Sequence, residues 1–425
     1  MNIVNNIYQF VGYFIVVYPI FMAIIWIISG LIFWWKNERL NHIDVREPFV
    51  GWPYVTILIP CHNESQIISN TCRQIFKIDY PKYRVVFIDD ASSDNTSEVI
   101  RQWISNVSNF HLLKIEENQG KSNALNSALA VAASTPVTII MDADTLPHPL
   151  TIKILVKSLL SANKIGAVTG HPIVYNRNSL LEKLQAVEFT TIIGLIKRAQ
   201  NLYGHLFSIS GCITAFKTES IFHVGGFSTK TATEDIDITW RLQKANYQVV
   251  YIPQAIVYIQ VPNKIKEFWK QRKRWAQGGW HLLRTHKDIF LRWRLRRLWL
   301  IYLDLLLSYL WSIFFIAGTF TWVIASQLMF EKELGFNPLP TYTSTLILIC
   351  LIQFIVSIKL NQKYDSTIRN LFFLIPWYPI FYFCIGALSV SWTAAKGLFQ
   401  DLDTVGKWKS PTRISQKKDK GVLDL

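Results

Sequence analysis

Two aspartates follow an apolar, β-branched run in the middle of the chain, at the point where a buried strand would end. The run covers residues 135–140, and Asp142 and Asp144 come directly after Met141. Carboxylates in this position can hold a hard cation such as Mg²⁺ or Mn²⁺, and two ligands leave coordination positions open for water and for phosphate oxygens. The pattern therefore indicates a metal that joins the protein to a bound diphosphate. A turn of solvated aspartates after a strand is the alternative.

The segments around this site alternate between strand-like and helix-like patterns. Alternation of this kind predicts an α/β fold with a mostly parallel sheet that is covered by helices on both faces. A further strand is predicted at residues 248–252. The first four strands are predicted at residues 55–59, 84–88, 111–115 and 137–141, with helices between them at residues 64–77, 96–107 and 121–133.

Polar side chains follow every one of the four strands. Ligands of parallel sheets bind outside the carboxyl ends of the strands, so these side chains are expected to converge. Together they offer carboxylates, an ammonium group and a glycine turn, which solvated turns would not be expected to assemble. The four strand ends read Cys61-His62-Asn63-Glu64, Asp89-Asp90-Ala91-Ser92-Ser93-Asp94, Glu117-Asn118-Gln119-Gly120-Lys121 and Asp142-Ala143-Asp144.

Two later segments carry further polar groups. Thr233, Glu234 and Asp235 precede a helical pattern at residues 238–245, where Thr233 or Asp235 could simply cap the helix and complement its dipole. Residues 264–297 hold 12 Lys or Arg against two acidic residues and are interleaved with Trp and Phe. Such a stretch is typical of helices that lie on an anionic membrane surface. The net charge of +15 is concentrated there without a nucleic-acid-binding motif, so no nucleic acid partner is expected.

Apolar segments at both ends of the chain predict a multi-pass membrane protein. Residues 8–35 carry no charge and are long enough to cross a membrane as a retained anchor. Lys36, Arg39 and Arg46 follow it, which predicts an outside amino terminus and a cytoplasmic middle region. Three more apolar spans, at residues 298–330, 343–360 and 371–394, would leave the basic tail outside, against the same rule. One span must therefore be broken, re-entrant or doubled, and Pro376 and Pro379 point to the last.

The ordered motifs resemble those of the processive, inverting glycosyltransferases of family 2, over about residues 54–279. Within that family, residues 166–170, 193–198, 210–211 and 275–279 are most similar to the branch that makes β-1,6-linked N-acetylglucosamine polymers. The motifs that carry the resemblance are Pro60-Cys61-His62-Asn63-Glu64, Asp89-Asp90-Ala91-Ser92-Ser93-Asp94, Asn118-Gln119-Gly120-Lys121, Asp142-Ala143-Asp144, Thr233-Glu234-Asp235 and Gln271-x-x-Arg274-Trp275.

The resemblance implies a role for each matching residue. Asp235 would be the catalytic base, Asp90 would bind the nucleoside, and Lys121 would meet the diphosphate. Asp142 and Asp144 would hold Mg²⁺ or Mn²⁺ against that diphosphate, with Asp142 also contacting the substrate. The acceptor end would be framed by Gln271, Arg274 and Trp275. For Asp235 the helix cap, and for Arg274 a purely interfacial position, are the alternatives.

Two departures from the family pattern lie beside Asp90. Ala91 stands where the family usually has Gly, and Asp89 leaves open which of the two carboxylates touches the nucleoside. The chain is divided accordingly into residues 1–50 (membrane anchor and linker), 51–260 (cytoplasmic glycosyltransferase domain), 261–297 (interfacial helices), 298–400 (membrane region) and 401–425 (basic cytoplasmic tail).

The implied activity is polymerisation of N-acetylglucosamine from UDP-N-acetylglucosamine into a β-1,6-linked biofilm polysaccharide, with coupled export through a bacterial inner membrane. Its implied partners are the growing polysaccharide, membrane lipid and a small membrane accessory subunit. The open alternatives are a hyaluronan, chitin or cellulose type of product and a transferase that acts on a lipid carrier. A transporter with a degenerate nucleotide-binding domain is the alternative from another class, against which the intact Asp142, Asp144 and Asp235 speak.

Overall fold

The computed structural model describes residues 2–39, 43, 51–328, 338–374 and 376–400. Arg46 of the predicted linker and the predicted basic tail at residues 401–425 lie outside these ranges. The described helices are α1 Asn2–Phe33, α2 Ile68–Ile75, α3 Thr96–Ile104, α4 Lys121–Ala132, α5 Thr151–Leu159, α6 Leu180–Thr191, α7 Lys197–Leu202, α8 Thr218–His223, α9 Glu234–Lys244, α10 Ile265–Thr285, α11 Asp288–Leu291, α12 Trp299–Leu328, α13 Pro338–Asn361 and α14 Tyr378–Phe399. Two π-helical segments, Trp34–Arg39 and Ile192–Ile196, and two 3₁₀ segments, Trp293–Leu298 and Ile368–Leu374, complete them.

Eight strands form one mixed sheet in the order β3-β2-β1-β4-β7-β6-β8-β5. The pairs β1 with β2, β1 with β4, β2 with β3 and β6 with β8 are parallel, whereas β7 and β5 run antiparallel to their neighbours. The predicted α/β class with a mostly parallel sheet is confirmed. The strands are β1 Val55–Cys61, β2 Tyr83–Asp90, β3 Phe110–Ile115, β4 Val137–Met141, β5 Leu146–Pro147, β6 Ile165–Val174, β7 Ile213–Lys217 and β8 Gln248–Ile259.

Apolar side chains on both faces explain why the central strands lack an alternating pattern. Every residue of β1 and β4 is buried. In β1, Ile57 and Ile59 pack into the core on one face of the sheet, and Leu58 packs into the core on the other face. A parallel strand that is covered on both sides needs apolar residues at successive positions. This is why residues 55–59 and 137–141 could be identified as strands.

Helix α2, which follows β1, begins later than the predicted start at residue 64. Residues 64–67 form a turn in which the Glu64 carbonyl accepts hydrogen bonds from the backbone N–H groups of Ile67 and Ile68. The backbone N–H of Glu64 donates to Thr96 Oγ1 at 2.8 Å, and that of Ser65 donates to Asp94. These bonds hold the turn against the loop that follows β2 and against the first residue of α3, so α2 starts only at Ile68. Strand β8 continues to Ile259, beyond the predicted end at residue 252.

Three helices among the described residues are long and apolar enough to cross a membrane, at Gln9–Arg39, Trp293–Thr321 and Ser344–Asn361. The predicted fourth span is interrupted, as its prolines indicate: Ile368–Leu374 forms a 3₁₀ segment and α14 starts at Tyr378, with Pro379 in its first turn. Helix α14 lies along α10, since Trp280 Nε1 donates to the Val390 carbonyl at 3.2 Å. Helix α10 therefore packs against α14.

Candidate active site

The site lies where the order of the sheet changes direction. From β1 the chain passes to β2 and β3 on one side and then returns to β4 on the other side. The carboxyl ends of β1 and β4 border the crevice that this reversal creates, which is where ligands of open parallel sheets bind. Asp142 follows β4 directly, and its backbone N–H donates to the Cys212 carbonyl at 3.2 Å. This bond brings the segment before β7, residues 208–212, to the same edge.

Lys121 lies between two carboxylates that are far apart in the sequence. Its Nζ is 2.7 Å from Asp142 Oδ1 and 2.8 Å from Glu234 Oε1. Burial lowers the pKa of Lys121, but the two carboxylates outweigh burial and raise it above its ordinary value. The ammonium group is therefore charged and joins the Asp-x-Asp turn to the start of α9. Its contact with a diphosphate stays a prediction.

Asp90 is buried and holds the loop that leads to Lys121. Its two oxygens accept hydrogen bonds from the backbone N–H groups of Gln119 and Gly120, at 3.2 and 3.0 Å. Gly120 has φ = +89°, a conformation that favours glycine and directs the chain into α4. Because Asp90 is inaccessible to solvent here, the predicted contact with a nucleoside requires this loop to move.

The neighbours of Asp90 form the turn after β2. Asp89 is also buried and accepts hydrogen bonds from the Ser92 backbone N–H and from Ser97 Oγ, so this carboxylate too is bound internally. Ala91 has φ = +52°, in the left-handed region, which explains why glycine is the usual family residue at this position. Neither carboxylate of the Asp89-Asp90 pair is available to a ligand without rearrangement.

The carboxylates of Asp142 and Asp144 fit a hard cation. Both residues are partly exposed, and the pKa of Asp142 is raised by burial and by the charges of Asp144 and Glu234, with Lys121 opposing. Oxygen donors that repel one another are stabilised by a divalent ion. Among the described ranges no group of three or more His, Cys, Asp or Glu could hold a metal. The protein thus offers two carboxylates, and the metal assignment stays a prediction.

Asp235 stands in the first turn of α9, facing the segment before β7. Thr233, not Asp235, occupies the capping position of that helix, and it makes no side-chain cap hydrogen bond. Burial and the charge of Glu234 raise the pKa of Asp235 to about 6, with Lys121 and Arg274 opposing. A carboxylate with a raised pKa is a stronger proton acceptor. The position and the pKa both suit a general base, a role that stays a prediction.

Helix α10 brings the Gln271-x-x-Arg274-Trp275 motif towards α9. Arg274 is exposed, and its charge lowers the pKa of both Glu234 and Asp235. Gln271 Oε1 is buried and has no hydrogen-bond partner within the described parts of the chain. One face of Trp275 is covered, because the Arg272 guanidinium lies 4.4 Å from its ring centroid. The motif is thus near the predicted base, with one unsatisfied oxygen.

Sequence reasoning assigned no role to several residues that shape this site. Glu234 is the second partner of Lys121, and its place beside Asp235 was the available signal. Arg272 forms a buried ion pair with Glu188, 84 residues away in sequence. Lys197 donates to Ser210 Oγ at 2.7 Å. Because the latter two contacts join different elements, no local spacing could have revealed them.

Comparisons with known proteins agree with this geometry. A family model described as "Glycosyltransferase like family 2" matches residues 53–278. The chain is 33% identical over 405 residues to a poly-beta-1,6-N-acetyl-D-glucosamine synthase of Staphylococcus epidermidis, covering 94% of this chain and 98% of the relative. It is 32% identical over 407 residues to the protein of that name from Staphylococcus aureus (strain COL), with the same two coverages.

A solved structure shows the same fold. The mannosyltransferase PcManGT from Pyrobaculum calidifontis, in complex with GDP-Man and Mn²⁺, superposes with a TM-score of 0.58 at 21% identity. The similarity covers 89% of this chain and 98% of that one. The family match spans more than half of the chain and includes the motifs from β1 to α10. The chain therefore belongs to glycosyltransferase family 2.

Proposed function

We propose that this chain is a membrane-embedded synthase that polymerises N-acetylglucosamine from UDP-N-acetylglucosamine into a β-1,6-linked polysaccharide and couples synthesis to export. The observation that carries the proposal is the Lys121 bridge between Asp142 and Glu234, which sets the Asp-x-Asp turn beside Asp235. The names of the staphylococcal relatives support the donor and the linkage. The product would be a biofilm exopolysaccharide.

Inverting transfer requires one displacement, in which the acceptor hydroxyl attacks as the diphosphate leaves. Asp235 accepts the proton of that hydroxyl as the new bond forms, because a sugar hydroxyl is too weakly acidic to ionise beforehand. Lys121 and Arg274 place positive charge beside the leaving diphosphate. Gln271 Oε1, which lacks a partner within the described chain, is suited to accept a hydrogen bond from a sugar hydroxyl.

Asp142 and Asp144 would hold Mg²⁺ or Mn²⁺. When bound, the ion supplies positive charge that offsets the charge growing on the diphosphate. Until donor binds, Lys121 neutralises Asp142, to which it is paired at 2.7 Å. Asp90 positions Lys121 through the loop at Gln119 and Gly120, and it meets the nucleoside if that loop opens.

We propose a bacterial inner-membrane location, with the region between α1 and α12 in the cytoplasm. Lys36 and Arg39 at the end of α1 favour that side. The membrane helices α12 and α13 then form two crossings and return the chain to the cytoplasm, while α14 lies along the interfacial helix α10. This arrangement places the tail with the catalytic domain, and it follows the domain division at residues 50, 260, 297 and 400.

Further partners follow from the family. A small membrane accessory subunit and membrane lipid would complete the synthase, and the growing polysaccharide would pass among the membrane helices. A hyaluronan, chitin or cellulose type of product, or a lipid-linked product, is an outcome that the following experiment separates.

The test is polymer formation by membranes that contain the chain, supplied with labelled UDP-N-acetylglucosamine and Mg²⁺. We expect the parent to make a product that a β-1,6-N-acetylglucosaminidase digests, and chelation of the metal to abolish synthesis. Asp235→Asn should bind UDP but make no polymer. Asp79→Asn, a change at an exposed aspartate that pairs with Lys153 outside the motifs, is the matched control and should retain synthesis.

Other outcomes contradict specific parts of the proposal. A parent that uses UDP-glucose instead, or also requires UDP-glucuronate, has another product on the same fold. A labelled lipid in place of polymer indicates transfer to a carrier. UDP release without any dependence on metal removes the role of Asp142 and Asp144.

A further inference from the structure

Two consecutive residues at the start of α7 reach in different directions. Lys197 and Arg198 follow the π-helical segment Ile192–Ile196, and both are buried. Successive residues of a helix point about 100° apart. Lys197 points to the segment before β7, where its Nζ donates to Ser210 Oγ at 2.7 Å. Arg198 points to the membrane helices.

The Lys197 partner belongs to the wall of the active site. Ser210 and Gly211 line a small pocket together with Lys121, Glu234 and Asp235. The backbone of Ser210 is fixed as well, since its N–H donates to Thr169 Oγ1 at 2.7 Å. Lys197 thus sets the position of a hydroxyl in a wall that Asp235 faces.

The charge of Lys197 has no carboxylate in direct contact within the described residues. Its hydrogen-bond partner is neutral, and burial lowers the pKa of Lys197 to about 8, with Cys212 and Asp235 opposing. His171 also faces it, and burial together with Arg198 and Lys197 lowers the pKa of that imidazole. A buried ammonium is costly unless it is paired. A buried lysine at position 197 therefore fits a role in the site better than a role in stability.

Arg198 is anchored to two membrane helices. Its guanidinium donates to Glu38, in the π-helical segment at the end of α1, with Nη2 at 3.0 Å from Oε2. It also donates to Asn361 Oδ1, the last residue of α13, at 2.9 Å. Tyr364 Oη donates to the same Glu38 oxygen at 2.7 Å. Arg198 has no solvent exposure, so this network fixes α7 relative to α1 and α13.

We propose that Lys197 is a positioning residue for the acceptor side of the site: through Ser210 it holds the wall opposite Asp235 against which the acceptor sugar hydroxyl is aligned. This inference rests on the proposed function. Arg198 sets the position of Lys197. Through these two residues, the membrane helices fix the position of the acceptor wall. Loss of the Lys197 ammonium leaves the donor side, at Lys121 and Asp142, intact. The acceptor hydroxyl then attacks from a poorer position, and water competes with it for the donor.

The experiment measures UDP release and sugar incorporation separately, in membranes that contain the full chain. For Lys197→Met we expect incorporation to fall between about tenfold and a hundredfold, the range for a misplaced reacting group, while the KM for UDP-N-acetylglucosamine stays within about twofold. The ratio of UDP released to sugar incorporated should rise. Lys197→Arg should restore part of the incorporation. Lys164→Met is the matched control and should resemble the parent, because Lys164 is an exposed lysine directly before β6.

A second variant separates positioning from misfolding. Ser210→Ala should raise the same ratio. The double variant should raise the ratio little further, because both changes remove the same Lys197–Ser210 hydrogen bond. The inference is overturned if Lys197→Met keeps the parent's ratio, or if UDP binding falls as much as incorporation does. A parent that makes no polymer from this donor contradicts the proposed function instead. In that case the ratio is measured with the sugar nucleotide that the parent does use.

Discussion

Arg272 and Glu188 form a buried, two-bond ion pair between α10 and α6. Nη1 and Nη2 of Arg272 each donate to a different Glu188 oxygen at 2.6 Å. The guanidinium also stacks over Trp275, and Arg272 Cζ lies 4.4 Å from the ring centroid. Because Arg272 lies between Gln271 and Arg274, the ion pair fixes the part of α10 that carries the motif.

Removal of one partner should therefore destabilise the fold. Glu188→Ala leaves the Arg272 charge buried and unpaired, and the expected loss is about 3–5 kcal/mol in the free energy of unfolding. Glu267→Ala breaks the Glu267–Lys270 pair of the same helix, in which Lys270 is largely exposed, and should cost less than about 1 kcal/mol. Thermal unfolding of the detergent-solubilised protein compares the two variants. Equal losses would show that the pair with Glu188 contributes no more than an ordinary surface pair.

The pH dependence of transfer should report the ionisation of Asp235. Its pKa of about 6 implies that the rate falls as the pH drops below that value, because a protonated base cannot accept the acceptor proton. Glu234→Gln removes a charge that raises this pKa, so the acidic limb should move to lower pH. The measurement is kcat/KM across the acidic range, with Glu98→Gln, an exposed residue of α3, as the control. A limb that stays in place in Glu234→Gln would assign it to another group.

The same raised pKa predicts that Asp235→Asn is more stable than the parent at neutral pH. A carboxyl group whose pKa is higher in the folded state stabilises the fold while protonated, and that contribution is lost as the pH rises through about 6. The asparagine variant avoids this loss. We therefore expect its thermal midpoint to exceed that of the parent above about pH 7 and to approach it below about pH 4, where aspartate is neutral in both states. A difference that is independent of pH would exclude this cause.

The local sequence was sufficient to predict the fold of the catalytic region and to indicate that several candidate site residues lie together. Strands β1, β2 and β4 could be identified because buried parallel strands are apolar at successive positions, and β4 has the predicted bounds. The polar residues at their carboxyl ends converge because parallel strands bring those ends to one edge. Lys121 and Asp142, predicted for one site, are 2.7 Å apart. The interrupted last span was likewise visible in Pro376 and Pro379.

Contacts between distant segments could not be predicted. Asp90 has a polar environment that suits a nucleoside ligand, but the sequence does not show that Gln119 and Gly120 satisfy its oxygens. Arg198 and Glu38 are 160 residues apart, and neither segment alone shows that the two side chains meet. Residues 64–67 belong to a helical sequence pattern, yet the side chains of Asp94 and Thr96 hold them in a turn. In each case a tertiary hydrogen bond decides the outcome.

Gly278 allows α10 to approach the start of α9, which gives a prediction about the distance between the acceptor motif and the base. A Cβ at this position would lie 2.3 Å from Thr233 Oγ1 and 2.5 Å from Thr233 Cγ2. Contacts this short force the two helices apart, because Thr233 is itself buried. Gly278→Ala should therefore reduce transfer by at least about tenfold, as expected when reacting groups are displaced by a fraction of an ångström to an ångström.

Gly386→Ala is the matched control for this prediction. Gly386 lies within α14, and a Cβ there would meet no atom within 4 Å. Alanine favours a helix over glycine by about 1 kcal/mol, so this variant should keep its activity and should not lose stability. Transfer rate and thermal midpoint are measured for both variants beside the parent. If Gly278→Ala were as active as Gly386→Ala, the close approach of α10 and α9 would be unnecessary for transfer. The effect of the Arg274 charge on Asp235 would then not depend on that approach.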